Sequence, residues 1–272
     1  MPKTLNSSLF TKNKPGFEQL RREAASFNSN FNGNNIVQDD IFHIIENYTK
    51  QQQWPFELLR YPIQDAELCA CTFLRGGRVF VLINANIPLS KQIFAAAHEL
   101  YHIIRYFDGE NNDLASRGSI LTANIIDEEA VAQEDLEANA FAGLFLAPDS
   151  ALHEQIRIYG IDIQQISVSH ILTLMDIFAI PYKAMVLRLY EECYIDKEKA
   201  CSLLEIPSDQ ILEQIRITGK SKRWQNIPVG CNRYGSLLEN MNTNIRLDAL
   251  TESRLASDQK RLQEVTGIFG QE

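Results

Sequence analysis

No stretch of the chain approaches the roughly 18 consecutive apolar residues that a membrane-spanning helix needs. The longest apolar runs are short pieces such as VFVLI and FAGLFLA. The first residues, MPKTLNSSLFTKNKPGF, lack the apolar core of a secretory leader. Cysteine is scarce as well: Cys69, Cys71, Cys193, Cys201 and Cys231 are odd in number and show no paired metal-finger spacing. A disulfide scaffold is excluded on those grounds, and buried reduced thiols fit a reducing compartment. Together these absences point to a cytoplasmic protein. Positive charge is also in deficit, with 26 Lys+Arg against 35 Asp+Glu, net −9. An acidic chain makes a poor non-specific nucleic-acid binder, since phosphate contacts need a basic surface. The excess acid lies in residues 1–195; residues 196–272 carry 11 of each sign. What is present is ordinary for a folded chain: 272 residues, 45% apolar and 22% charged, enough for one large domain or two small ones.

Residues 1–35 read as a flexible segment and linker. They hold a short helix at 17–25 and end in the turn-forming NSNFNGNN. Asp39 or Asp40 caps a helix through about Lys50, and Trp54-Pro55 breaks it. Leu68–Leu74 and Val79–Ile83 flank Arg75-Gly-Gly-Arg78, a hairpin whose turn has glycines for its positive φ angles. Cys69 and Cys71, alternating with Leu68 and Ala70, are expected on one face. A helix follows over about 91–107, and 108–126 lacks any period. Further helices are predicted at 128–146, 149–158, 167–178, 182–192 and 196–204. Beyond Ile206 the chain is less readable, with a helix over 208–217, a turn-rich stretch, and helix again from Ser236.

The helix at 91–107 contains His98-Glu-Leu-Tyr-His102. Residues four apart share a helix face, so the two imidazoles can hold one Zn²⁺, each through a ring nitrogen about 2.0–2.1 Å away. Glu99 lies about 100° around the axis. It is placed to reach a water on the metal as general base rather than to join the ligands. Alanines and large aliphatic residues surround the motif, so the helix should be buried, and buried His and Glu need partners. Zinc wants a third protein ligand. The 128–146 helix offers Glu134, Asp135 and Glu137. Asp135 and Glu137 lie about 200° apart on it and cannot face one ion together.

Two segments carry a family resemblance. Phe94-Ala-Ala-Ala-His-Glu-Leu-Tyr-His102, then Asp135-Leu-Glu-Ala-Asn-Ala-Phe-Ala-Gly-Leu-Phe-Leu-Ala-Pro148, resemble the ImmA/IrrE metallopeptidases of the gluzincin group. The preceding hairpin, Ser167-Val-Ser169, Ile180-Pro-Tyr-Lys-Ala184 and Arg188-Leu189 are similar too. The likeness covers roughly 36–205. It implies an α+β fold: a small antiparallel sheet with a hairpin packed on several helices, a zincin-like (minigluzincin) core, and a helical C-terminal part. It divides the chain into 1–35, a metallopeptidase domain over 36–205, and an appendage of unassigned role over 206–272. It implies one Zn²⁺ held by His98, His102 and Asp135, with Asn139 supporting the site from behind and Glu99 as the catalytic base. The implied activity is endopeptidase cleavage of a protein, in the family commonly a DNA-binding repressor. The family pattern has Glu where this chain has Asp135, one methylene shorter. That departure motivates an alternative, a catalytically weak regulatory protein-binding module.

Other features are weaker. Tyr101, His153, His170 and Tyr182 are candidates to stabilise an oxyanion. The hairpin strands 68–83 offer an edge for an extended peptide. Residues 166–189 resemble a helix-turn-helix in outline, but with only Lys183 and Arg188 as basic residues they read as domain packing. Lys220, Lys222, Arg223 and Trp224 form a small basic-aromatic cluster in a polar stretch.

Overall fold

The computed structural model describes residues 8–33, 35–65, 67–109, 118–122, 132–218, 224 and 233–267. Helices α1 (Ser8–Lys12) and α2 (Lys14–Phe31) come first among the described residues. Asn13 caps α2 by accepting a hydrogen bond from the Gly16 amide at 3.1 Å. Phe17, Leu20, Ala24 and Phe27, spaced at helical intervals, are all buried. The Phe17 ring meets Phe10 edge-on at 5.2 Å. Phe27 meets Tyr48 and Phe145 at 5.0 and 5.6 Å. Over the described residues 8–31 the expectation of a flexible segment is therefore corrected; residues 1–7 lie outside the described residues. The helix continues past Ala25 through Asn28-Ser-Asn because Phe27 and Phe31 are held in an aromatic cluster. Phe17→Ala is expected to cost about 3–5 kcal/mol in a denaturant titration. A loss under about 1 kcal/mol would restore the loose-segment reading.

Helix α3 (Ile41–Gln51) leads to β1 (Phe56–Tyr61), β2 (Leu68–Arg75) and β3 (Arg78–Asn84). Gly76 and Gly77 turn the β2–β3 hairpin with φ of +59° and +74°, a conformation that glycine adopts without steric cost. Together with β4 (Ser119–Thr122) and β5 (Arg233–Tyr234), the strands form a sheet of order β4-β2-β3-β1-β5. The α+β class holds. The sheet, however, is mixed, because β1 runs parallel to β3. Strand β1 pairs with β3 along Val79–Asn84, and β4 pairs with β2 over Leu68–Thr72, so within those described spans the hairpin edges are already taken. A bulge between Leu68 and Ala70 also breaks the simple alternation expected of the two cysteines. Burial raises both thiol pKa values to about 11, so Cys69 and Cys71 are neutral thiols at pH 7.

Helix α4 (Leu89–Phe107) lies across the sheet. Ala95, Ala96 and Ala97 are almost fully buried; being consecutive, they spread over about 200° of the helix, which is therefore enclosed on more than its sheet-facing side. Its start is pinned by a buried polar chain. Arg60 of β1 donates to Gln92 Oε1 at 2.7 and 3.2 Å. Gln92 Nε2 in turn donates to the Ala85 and Ile87 carbonyls. Helix α5 (Gln133–Leu146) packs on α4, with the Tyr101 and Phe141 rings 5.6 Å apart; the first residues predicted for it, 128–131, lie outside the described residues. The fully buried Arg188 holds the far end of α5, donating to the Ala147 carbonyl at 3.2 Å and to Asp149, Glu191 and Glu192.

The chain continues through α6 (Asp149–Ile158), α7 (Val168–Phe178), α8 (Tyr182–Glu191), α9 (Lys197–Leu204) and α10 (Ser208–Ile217). The α7–α8 pair contributes Ile171, Leu174, Phe178, Met185 and Leu189 to the core, in keeping with domain packing. No single described helix is long and apolar enough to cross a membrane. Helices α11 (Leu237–Arg246) and α12 (Glu252–Gly267) are the last among the described residues. Part of the 206–272 appendage is joined to the sheet: β5 extends β1 antiparallel, and the Glu57 carboxylate accepts hydrogen bonds from the amide and hydroxyl of Ser236. Trp224 is buried; Lys220, Lys222 and Arg223 lie outside the described residues.

Candidate metal centre

On α4, His98, Glu99 and His102 are at most 3% exposed. Asp135 comes to them from the first turn of α5. The two imidazole Nε2 atoms are 3.1 Å apart. Asp135 Oδ1 lies 3.7 Å from His98 Nε2 and 3.4 Å from His102 Nε2. Candidate ligand atoms of these three residues all fall within 4.8 Å of one another.

The far side of each ring explains why this arrangement calls for a cation. His98 Nδ1 is 2.9 Å from Asn139 Oδ1, and His102 Nδ1 is 2.9 Å from Glu134 Oε1. Both partners are acceptors, so each Nδ1 carries the proton. In the neutral rings the two Nε2 lone pairs then face each other and the Asp135 carboxylate. Three acceptors converging on one point repel unless a proton or a metal ion sits among them. For tetrahedral zinc with bonds of about 2.0–2.1 Å, ligand atoms are roughly 3.4 Å apart. The observed spacings bracket that value, so the donor set fits a zinc-like ion.

Electrostatics describe the ion-free state. Burial works against charge on His102. Its hydrogen bonds to Asp135 and Glu134, together with the charge of Glu99, outweigh that and raise its pKa from 6.5 to about 9. Burial would likewise raise the Asp135 carboxyl, yet the two imidazoles hold it well below the usual carboxylate range. In the ion-free protein the His102 contribution to stability is full below pH 6.5 and lost as pH rises through about 9. The Asp135 contribution is present above its ordinary value of 3.8 and lost as the pH falls from there. A metal must displace the His102 proton. Uptake at pH 7 is therefore expected to release about one proton per ion from His102. Calorimetry in buffers of different ionisation enthalpy measures this directly; no release at pH 7 would contradict it.

Glu99 makes no approach to the ligand triangle of the kind Asp135 makes. Its Oε2 accepts a 2.5 Å hydrogen bond from Thr72 Oγ1, and its Oε1 is buried without a hydrogen-bond partner. Such an unpaired buried oxygen is costly unless a ligand or water meets it. Sequence reasoning brought together His98, Glu99, His102, Asp135 and Asn139. It missed Glu134 as the partner of His102, although its place in the acidic first turn beside Asp135 was a signal. It missed Thr72 altogether.

The other candidates are engaged elsewhere. Glu137 accepts from Tyr101 Oη at 2.6 Å and from Gln133. Tyr101 is thereby committed, with burial pushing its pKa well up. Tyr182 donates to the Leu203 carbonyl at 3.3 Å. His153 pairs with Tyr194, and His170 accepts from the Ser167 amide at the start of α7. None of these contacts involves the four residues His98, Glu99, His102 and Asp135.

Residues 47–190, just over half the chain, match the family model described as Peptidase_M78: IrrE N-terminal-like domain. A search of curated proteins found no match to this chain.

Proposed function

Since the chain belongs to the Peptidase_M78 (IrrE N-terminal-like) family, we propose that it is a zinc-dependent endopeptidase acting in the cytoplasm on a protein substrate. The observation that carries this reading is the convergence of His98 Nε2, His102 Nε2 and Asp135 Oδ1 beside the unpartnered Glu99 Oε1. His98, His102 and Asp135 would hold the ion, and Asn139 and Glu134 keep the two imidazoles in the required tautomer and orientation. Bound there, zinc supplies Lewis-acid polarisation of the scissile carbonyl and acidifies water. The chain's own part centres on Glu99. Its Oε1 takes the proton of the attacking water and delivers it to the leaving amine nitrogen, so one carboxylate serves as base and then as acid. Burial of Glu99 keeps bulk water away from that transfer.

The resemblance to ImmA/IrrE metallopeptidases supports a substrate of the DNA-binding repressor class, and the acidic charge balance is against the chain binding DNA itself. The test is cleavage of a proteome-derived peptide library and of candidate repressors by the zinc-loaded chain, with and without chelator. Chelator-sensitive cuts at defined positions support the reading. Zinc bound without any cleavage favours the second reading, a regulatory protein-binding module, which Asp135 in place of the family's Glu motivates.

A further inference from the structure

Glu99 is gripped by one partner, and that partner lies outside the helix motifs that mark the site. Thr72 sits in the middle of β2, is 1% exposed, and donates its hydroxyl to Glu99 Oε2 at 2.5 Å. That is the length of a strong hydroxyl–carboxylate bond. Thr72 is itself tightly placed. It is paired with Val81 of β3 on one side and Ser119 of β4 on the other. A Cβ on Gly118 would come within 2.6 Å of the Thr72 carbonyl oxygen, so β4 begins in close contact with this residue. Its β-branched side chain also has little χ1 freedom. The donor thus rests on the sheet, while the acceptor belongs to α4.

A hydroxyl has one proton to give. Spent on Oε2, it fixes the rotation of the Glu99 carboxylate and leaves Oε1 as the oxygen without a partner. We infer that Thr72 is the positioning residue of the general base: it commits Oε2 and presents Oε1 to the attacking water. This inference rests on the peptidase reading. It assigns Thr72 a role through Glu99, not contact with substrate or metal.

The experiment uses the full zinc-loaded chain and one library peptide that the wild type cleaves. Thr72→Val keeps the shape and removes the donor; Thr72→Ser keeps the donor, and it also keeps the test decisive should the valine variant fold poorly. The valine variant is expected to lose about 10- to 100-fold in kcat, with KM and zinc content near wild type. The serine variant should recover most of that loss. Valine activity at the wild-type level overturns the inference. So does an equal loss in the serine variant, or a valine loss that tracks loss of zinc. A wild type that binds zinc and cleaves nothing overturns the peptidase reading first, and with it any role for Thr72 in a reaction; the two failures are distinguishable because the wild type is measured alongside.

Discussion

His98→Ala is expected to take bound zinc from about one ion per chain to nearly none, as read by elemental mass spectrometry after dialysis. The variant removes one of three converging protein ligands and leaves Asn139 Oδ1 without its imidazole partner. Four-ligand structural zinc sites bind with about 10–16 kcal/mol, or roughly 3 kcal/mol per ligand. Loss of one therefore raises Kd by at least about a hundredfold. Asp135→Ala should weaken binding in the same direction. Asp135→Glu is the more informative partner, because it restores the residue type of the family pattern. The Asp135 carboxylate already stands 3.4 and 3.7 Å from the two Nε2 atoms, near the spacing expected of tetrahedral ligands. An added methylene therefore has to be absorbed by bending the side chain away, and no gain in affinity is expected. Retention of a full zinc complement by His98→Ala would remove the assigned site. A large gain from Asp135→Glu would show that the shorter acid is a defect, and would strengthen the binding-module alternative.

The parts of this site that were legible in the sequence are those that helical periodicity brings together. His98 and His102 are one turn apart on α4, and so are Asp135 and Asn139 on α5. Each pair announces a shared face without knowledge of the fold. The β2–β3 hairpin was legible for a similar reason, since Gly76-Gly77 marks its turn locally. What was missed depends on contacts distant in sequence. Strand β1 follows a proline and carries buried Glu57 and Arg60, so its sequence resembles no alternating strand. It is a strand because it pairs parallel with β3 and because Arg60 finds Gln92. Strand β4 is four residues in an aperiodic stretch, ordered by pairing with β2. The end of α2 reads as a linker by composition, yet aromatic contacts from α3 and α5 hold it helical. Thr72 is the sharpest case. A threonine in a strand carries no chemical signal until the sheet is laid beneath α4 and its hydroxyl meets Glu99.

Glu99→Gln is expected to retain zinc at the wild-type level and to lose cleavage by about 100- to 10,000-fold in kcat, the range for removing a general base. The dissociation of the two readouts follows from geometry. Glu99 lies on the same helix as the histidines but about 100° around it from His98. Its hydrogen bond goes to Thr72 and not to an imidazole, so the amide leaves the ligand triangle intact. Thr72 Oγ1 retains an acceptor in the Gln side-chain oxygen, which keeps the substitution mild for packing. The amide nitrogen then occupies the position of Oε1, and it can donate a proton but cannot accept one. Chemistry that depends on proton uptake there stops while the scaffold stays as it was. Cleavage within a few-fold of wild type would mean that another group takes the proton. The unpartnered Oε1 would then need a different explanation, such as a buried water. Loss of zinc together with activity would instead assign Glu99 to holding the helix and its ligands. The joint measurement of metal content and turnover on one preparation thus separates a base from a ligand support.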